Sequence, residues 1–319
     1  MAQIKEVTKI LVDNLKLRGS VLPISQEAAT KWAKDLNLPK GGDTILYTGN
    51  MYQIIPYINK LVKTLELFEG TFFMNFTVFG RMANRFVNVS KFMGGPNKEE
   101  VKTFNNTLTN MAKLLQKSGS KFGYLYEDDL YAGALTYDLG ADDVTLAQAK
   151  KVYENLKKHG VKRVITVDPH TTHMLREVYP KILPEFDIVV KSYIEVLAKR
   201  GLNPLNNKGG EVAIHDSCVY ARHENVVGEP RELLSKAGVN VKEPFESKKI
   251  TFCCGGPAES LFPSKALEVG KKRMAQLCKE CDHVTVMCPI CNANLKRSAT
   301  NGTKITDFAD YISEFYLEN

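Results

Sequence analysis

The stretch Thr251–Pro257, which reads Thr-Phe-Cys-Cys-Gly-Gly-Pro, constrains this chain more than any other part of its sequence. Two adjacent cysteines cannot close a disulfide with each other without strain. They can instead bind two iron atoms of one cluster, and glycines beside them let the backbone approach a bound group closely. The stretch therefore indicates a metal centre whose other ligands must come from elsewhere in the sequence.

Three further cysteines in the same half of the chain complete a pattern. One of them ends the segment His-Asp-Ser-Cys that begins at His215, and the other two form a Cys-Pro-Ile-Cys motif. Five of the seven cysteines are therefore candidate ligands of one metal site. These residues are Cys218, Cys253, Cys254, Cys288 and Cys291.

Zinc is the alternative metal for these thiols. It can occupy the same five-cysteine pocket, or a local site in which Cys278 and Cys281 join Cys288 and Cys291, because four thiolates suffice for a tetrahedral site. The local site leaves the adjacent pair unexplained. We therefore favour the five-cysteine pattern and interpret Cys278 and Cys281 as core or surface residues, and plain buried thiols remain a further alternative.

Length, composition and charge narrow the class of protein. At 319 residues the chain is long enough for two domains, and its 44% hydrophobic and 25% charged residues are typical of a globular protein. We find no apolar run of about 18 residues that could span a bilayer and no secretory signal. Cysteines without an export signal favour thiols or metal over disulfides. We expect a cytoplasmic protein, with a membrane-associated complex as an alternative setting.

The basic residues do not indicate nucleic-acid binding. The net charge of +7 is modest for this length, and the Lys and Arg residues are scattered along the chain. Scattered charge lacks the clustered footprint of a nucleic-acid module. Neither a Gly-x-Gly-x-x-Gly nor a Walker segment is found, so we expect no nucleotide site in this sequence.

Strand and helix patterns alternate along most of the sequence. This alternation predicts an α/β fold with mainly parallel sheets that are covered by helices on both faces. Two amphipathic stretches near the start predict an N-terminal helical extension, and the loop at 203–210 is the best domain boundary. We therefore divide the chain into an extension (1–42), a first domain (43–205) and a second domain (206–319).

The two predicted domains repeat one another. Residues 163–175 align without gaps on residues 283–295, and both read as a strand, a turn with proline at the first helical position, and a helix. The first domain has lost all five cysteines of the pattern. The residues in their places are Asn50, Tyr131, Ala132, Asp168 and Thr171. Because these side chains cannot form a thiolate cage, we expect a metal site in the second domain only.

Two histidines occupy the first domain's altered corner. His170 and His173 are spaced i, i+3 on a predicted helix, so a metal held by Asp168, His170 and His173 is conceivable. We favour the simpler interpretation, in which Asp168 caps the N-terminus of that helix.

The cysteine pattern resembles the cysteine-rich CCG domain of the B-type subunit of heterodisulfide reductase. The same domain occurs in iron–sulfur subunits of glycolate, lactate and glycerol-phosphate oxidoreductases. Arg222-His223 and the segment Pro230–Leu234 are also similar to the family, and the resemblance covers residues 44–297. It implies two pseudo-symmetric Rossmann-like CCG domains, and one non-cubane [4Fe–4S] cluster held by the five cysteines.

The resemblance also implies a function. We expect an electron-transfer subunit of a heterodisulfide-reductase-like complex, with a ferredoxin-like C-type subunit or a flavoprotein subunit as partner. Its substrate would be a thiol, a disulfide or a sulfur carrier. The loss of one motif removes the splitting of a disulfide between two clusters, so the chain would relay electrons or share the task with another subunit.

Three other functions stay open. The chain can be the iron–sulfur subunit of a lactate-, glycolate- or glycerol-phosphate-type oxidoreductase, or an enzyme that reduces disulfides alone. It can also be a zinc-bound or metal-free structural subunit that docks through the Phe- and Met-rich segment 67–93, although that segment reads first as core strand and helix.

Two side chains near the cysteines are candidate catalytic residues. His215 can tune a ligand, bind a substrate thiol or supply a proton, or it can simply fix the end of a strand. Arg222, like Arg231, can pair with an anionic substrate or partner, or with nearby carboxylates.

Overall fold

A computed structural model describes residues 2–22, 24–68, 95–259, 261–300 and 302–318. The predicted docking segment 67–93 lies outside these ranges except for its first two residues. Its prediction as core or docking surface therefore stays open.

Eight strands form two parallel sheets of four strands each. The first sheet consists of β1 (Thr44–Tyr47), β2 (Gly123–Tyr124), β3 (Arg163–Thr166) and β4 (Val189–Ser192). The second consists of β5 (Gly210–His215), β6 (Val239–Lys242), β7 (His283–Val286) and β8 (Lys304–Asp307). Their strand orders are β2-β1-β3-β4 and β6-β5-β7-β8, and every pairing is parallel. The predicted α/β fold with two related parallel sheets is confirmed.

Helices lie between most of these strands, because each parallel connection needs a crossover. The N-terminal helices are α1 (Ala2–Arg18), α2 (Gln26–Thr30) and α3 (Met51–Phe68). Those of the first sheet are α4 (Lys98–Lys117), α5 (Ala134–Asp138), α6 (Asp142–Lys158), α7 (Pro169–His173), α8 (Tyr179–Ile182) and α9 (Tyr193–Arg200). Those of the second are α10 (Gly228–Lys236), α11 (Pro263–Cys278), α12 (Pro289–Ser298) and α13 (Phe308–Tyr316). No described helix combines the length and the apolar character that a bilayer crossing requires.

Local sequence signals set the ends of several helices. Asn97 caps α4, where its side chain accepts hydrogen bonds from the amides of Glu99 and Glu100. The helix α9 begins with a capping box between Ser192 and Glu195 and ends at Gly201, whose φ of 68° is left-handed. These caps satisfy backbone groups that would otherwise lack partners.

Some short strands differ from the sequence expectation. The predicted strand at 250–252 is wrong, because this stretch forms a 3-10 turn (Lys248–Ile250) and a loop, and Ile250 is 67% exposed. The strand pattern there belongs to the cysteine loop, and β6 and β8 supply the sheet edges instead. The strand predicted at 186–190 begins later, at β4, because Phe186 packs against Tyr153 and Tyr179.

The two sheets share a core. One hydrophobic cluster contains buried side chains from both halves, and α4 packs against α13. Across that contact, Asp310 accepts hydrogen bonds from Thr107 at 2.7 Å and Asn110 at 2.9 Å. The halves are therefore held together by both apolar and polar contacts. The division at 42 and 205 stays a prediction.

Candidate metal centre

The five cysteines of the sequence pattern meet at one edge of the second sheet. Cys218 lies three residues after β5, and Cys288 follows β7 and occupies the N-cap of α12. The adjacent pair lies in the loop before a 3-10 turn (Gly256–Ala258). Because the carboxyl ends of parallel strands share one edge, the fold itself brings these segments together.

The thiols form a continuous chain of contacts. Cys218 contacts Cys253, Cys254 contacts both Cys253 and Cys291, and Cys291 contacts Cys288. The last three thiols in this chain are buried, whereas Cys218 and Cys253 are partly exposed. The cysteine corner, defined by these five residues, therefore has a buried end and an end that reaches the surface.

The spread of the thiols favours more than one metal atom. Within the described part of the chain, one trio of potential ligand atoms lies within 4.8 Å of one another, and it consists of His215, Cys254 and Cys291. Cys218 and Cys288 extend the chain of thiols beyond that trio. A tetrahedral zinc ion needs four ligands at about 2.0–2.3 Å, which is more compact than this arrangement.

Backbone amides point at the cysteine pair, as the sequence predicted. The N–H groups of Gly255 and Gly256 donate to the sulfurs of Cys253 and Cys254, at 3.3 Å each. A Cβ on Gly256 would lie 2.4 Å from Cγ2 of Ile290. The second glycine is therefore required by packing as well as by its amide.

Two of the thiols are predisposed to ionise. Hydrogen bonds from Cys218 and Cys254 lower the pKa of Cys253 to about 2. Burial opposes ionisation of Cys288, but hydrogen bonds from Cys291 and His170 hold the pKa of Cys288 well below its usual range. Cys288 makes no capping hydrogen bond to α12, so its neighbours rather than the cap account for this. Thiolates are the form that binds metal.

His215 lies against this corner in a defined tautomer. Nε of Arg273 donates to Nδ1 of His215 at 3.0 Å, so the ring proton is on Nε2. Burial and the Arg273 charge lower the pKa of His215 to about 3, so the ring is neutral. Nε2 has no hydrogen-bond partner among the described residues. It is the nitrogen that remains for the thiols or for a bound group, and the role of His215 stays a prediction.

The two arginines are used locally. Arg222 donates to the carbonyl oxygen of Thr251 and so supports the cysteine loop. Arg231 donates to both oxygens of Asp216, at 2.9 and 2.8 Å, and pairs with Glu243. These contacts match the interpretation of Arg231 as a partner of local carboxylates. Whether Arg222 also meets a substrate stays a prediction.

Cys278 and Cys281 lie away from the cysteine corner. Cys278 contacts Thr303, and Cys281 contacts the carbonyl oxygen of Glu211, at 3.5 Å each. Both precede β7, whereas Cys288 follows it. A strand of four residues spans roughly 13 Å, so the local four-cysteine zinc site does not match this fold.

The histidines of the first-domain corner point in different directions. Asp168 caps α7 by accepting from the amide of Thr171 at 2.9 Å, as predicted. His173 pairs with Glu224 at 2.7 Å, whereas His170 contacts Cys288 of the second domain. The structure therefore does not gather Asp168, His170 and His173 around one ion.

Sequence reasoning missed two residues of the corner. His170 reaches it from the other sheet, and Arg273 reaches it from α11 as a fully buried side chain. The i, i+3 pair of histidines suggested a metal only within the first domain. A charged residue among apolar neighbours in the pattern of α11 was the one available signal for Arg273.

Comparisons with known proteins agree with this geometry. The family described as "Cysteine-rich domain" (CCG) matches residues 97–176 and 212–296, which is more than half of the chain. The second match contains all five cysteines of the corner, and the first contains their counterparts in the other half except Asn50.

Several curated proteins are similar to parts of this chain. The EtfAB:quinone oxidoreductase of Syntrophomonas wolfei is 33% identical over 46% of this chain and 21% of its own length. The probable iron-sulfur-binding oxidoreductase FadF of Bacillus subtilis is 28% identical over 64% of this chain and 29% of its own. The D-type subunit of the dihydromethanophenazine:CoB--CoM heterodisulfide reductase of Methanosarcina mazei is 30% identical over 58% and 48%. The chain thus spans about a fifth to a half of these relatives.

Proposed function

This chain belongs to the cysteine-rich CCG domain family, and from that premise we propose that it is the iron–sulfur electron-transfer subunit of a heterodisulfide-reductase-like complex. Its relatives are named as iron–sulfur oxidoreductases and as part of a heterodisulfide reductase, which supports an iron–sulfur cluster here. The observation that carries the proposal is the continuous chain of five thiols at one sheet edge.

The donor set fits an iron–sulfur cluster. The proposed ligands are Cys218, Cys253, Cys254, Cys288 and Cys291, and the proposed group is one non-cubane [4Fe–4S] cluster. Thiolates are the usual protein ligands of such clusters, and two of these thiols have lowered pKa values before any metal binds. When bound, the cluster would supply reversible electron transfer.

The protein's own groups would adjust the centre. Gly255 and Gly256 direct N–H groups at two sulfurs, and His215 carries its proton on the nitrogen nearest the thiols. Hydrogen bonds to sulfur stabilise negative charge and so favour the reduced state. These residues therefore act as positioning and tuning groups.

The exposed end of the corner is the proposed site of exchange with other molecules. Cys218 and Cys253 are partly exposed, whereas the other three thiols are buried. We propose that a ferredoxin-like C-type subunit or a flavoprotein subunit approaches this end, and that a thiol, disulfide or sulfur carrier is the substrate. The proposed setting is cytoplasmic, including a complex that associates with a membrane.

Electron transfer itself provides the test. Anoxically purified protein is reduced with dithionite, and visible absorbance and paramagnetic resonance are recorded as a heterodisulfide is added. We expect a brown protein that bleaches on reduction and is reoxidised when partner subunits are present. Colourless protein with stoichiometric zinc would support the structural subunit instead, and turnover without partners would support an enzyme that acts alone.

A further inference from the structure

A cavity lies between the two halves, directly beside the cysteine corner. It encloses about 550 Å³, including its mouth. Ile290, which lies between two of the cysteines, and Gly256, which follows the cysteine pair, form one wall. Tyr131 and Leu135 of the first-domain corner form the opposite wall. A molecule in this cavity would therefore lie against the cysteine loops.

The cavity is closed on a third side by the N-terminal part of the chain. Leu11 of α1 and Ile54 of α3 line it, and Leu15, Val21 and Met51 belong to a small hydrophobic cluster around them. Apolar pockets with a few polar groups are typical of small-molecule sites. The helical extension thus has a defined place, as the cover of this cavity.

The charged groups in the wall do not favour an anion. Among the described residues that line the cavity, none is Lys or Arg. Glu259 is paired with Arg297 at 3.1 Å. His170 and Asp138 lie 4.0 Å apart, which balances their charges but is too long for a hydrogen bond. Nδ1 of His170 is therefore available to a hydrogen-bond acceptor on a ligand.

We propose that this cavity binds a neutral, mainly apolar, electron-carrying molecule of the quinone class, with a carbonyl oxygen directed to His170. The apolar walls match the ring system, and the histidine matches the carbonyl. An anionic thiol or disulfide would meet no lysine or arginine among the described lining residues, and it would approach thiolates. The inference rests on the proposed function, because an electron carrier is expected here only beside a redox centre.

Equilibrium dialysis with two matched probes tests the ligand class. Hydroxymethyl-anthraquinone and anthraquinone sulfonate share one ring system, differ in charge, and offer no ring position for addition of thiols. With the full-length, anoxically purified chain, we expect the neutral probe to bind at least tenfold more tightly than the sulfonate. Equal binding, or tighter binding of the sulfonate, would overturn the proposal.

Variants locate the binding. Leu135→Trp fills the cavity and should weaken binding of the neutral probe at least tenfold. Leu205→Trp places the same side chain at a loop position that is 49% exposed and outside the cavity lining, and should change nothing. Unchanged binding by Leu135→Trp would contradict the proposed site. Ile54→Phe is a second filling variant, should the first fail to fold.

Charge is tested at Asp138, whose side chain is 43% exposed. Asp138→Asn should tighten binding of the sulfonate about three- to tenfold, because it removes a nearby negative charge. No change would show that the wall does not discriminate by charge. Iron content is measured on every sample. Lost binding with iron retained would refute the cavity alone, whereas binding by protein that never holds iron would refute the proposed function.

Discussion

The two copies of the corner share a backbone but differ in how their side chains find partners. Gly133 and Gly255 follow the equivalent residue pairs and have φ values of 85° and 82°. Asp168 and Cys288 occupy the same N-cap position, each before a proline. The duplication thus preserved the turn, the cap and the strand order while the chemistry of the side chains changed.

The first copy closes on itself. Asn50 donates to the carbonyl oxygen of Asp129 at 2.7 Å, and the hydroxyl of Tyr131 accepts from the amide of Leu135 at 2.8 Å. Asp168 is used as a helix cap. In the second copy the thiols contact mainly one another. The difference teaches that this corner is stable without metal only where polar side chains replace the thiols.

Removal of one thiol should have the largest effect. Cys254 lies in the middle of the thiol chain, so Cys254→Ala should reduce bound iron from about four atoms per chain to below one. Cys278→Ala, at the opposite end of β7, is the matched control and should retain the iron. Iron analysis of anoxically purified variants measures both. Loss of iron from the control alone would restore the local metal site.

Alanine at the paired glycines compares the two turns directly. Gly133→Ala should cost about 1 kcal/mol of unfolding free energy, because its φ is left-handed but its Cβ meets nothing closer than 3.5 Å. At Gly255 the Cβ would lie 2.7 Å from the Ala266 carbonyl oxygen, so we expect an additional cost of about 2 kcal/mol and loss of iron. Chemical denaturation gives both values, and equal costs would mean that the second turn is no tighter.

The caps at the ends of β4 and β8 should differ in pH dependence. Burial raises the pKa of Asp307 from about 3.8 to about 8, whereas its counterpart Ser192 is neutral. A raised carboxyl pKa means that the unfolding free energy contributed by Asp307 falls as the pH rises from about 4 to about 8.

Asp307→Asn should therefore gain roughly 2 kcal/mol relative to the unmodified protein between pH 5 and pH 8. Ser192→Ala should lose about 1 kcal/mol at every pH, as for a lost cap. Denaturant titrations across this range measure both. A constant effect of Asp307→Asn with pH would show that the carboxylate is charged in the folded protein.

His215 provides the smallest predicted effect. Its first-copy counterpart, Tyr47, donates to the Leu130 carbonyl oxygen and is satisfied internally, whereas His215 keeps Nε2–H for the thiols. His215→Leu should lower the reduction potential by about 40 mV, which corresponds to one net hydrogen bond of about 1 kcal/mol. His215→Gln should restore part of the shift. A potential that does not change in the leucine variant would assign His215 to strand-end support alone.

Local signals made much of this fold predictable from sequence. The cysteines and glycines of residues 251–257 need close backbone approach, and the gapless repeat of strand, proline turn and helix related the two halves. Both depend on neighbours in the chain. Short edge strands such as β6 and β8 were missed, since four residues carry little periodic signal.

Contacts between distant parts of the chain were not predictable. His170 reaches Cys288 from the other sheet, and Arg273 reaches His215 from α11. Neither contact leaves a spacing in the sequence. The cavity under α1 likewise depends on how three separate segments pack, so only the structure revealed it.

Iron and acid-labile sulfide, measured together on anoxically purified protein, test the central claim most directly. A centre held by the second copy alone predicts about four irons and four sulfides per chain. Stoichiometric zinc without sulfide, or twice the predicted iron, would contradict it.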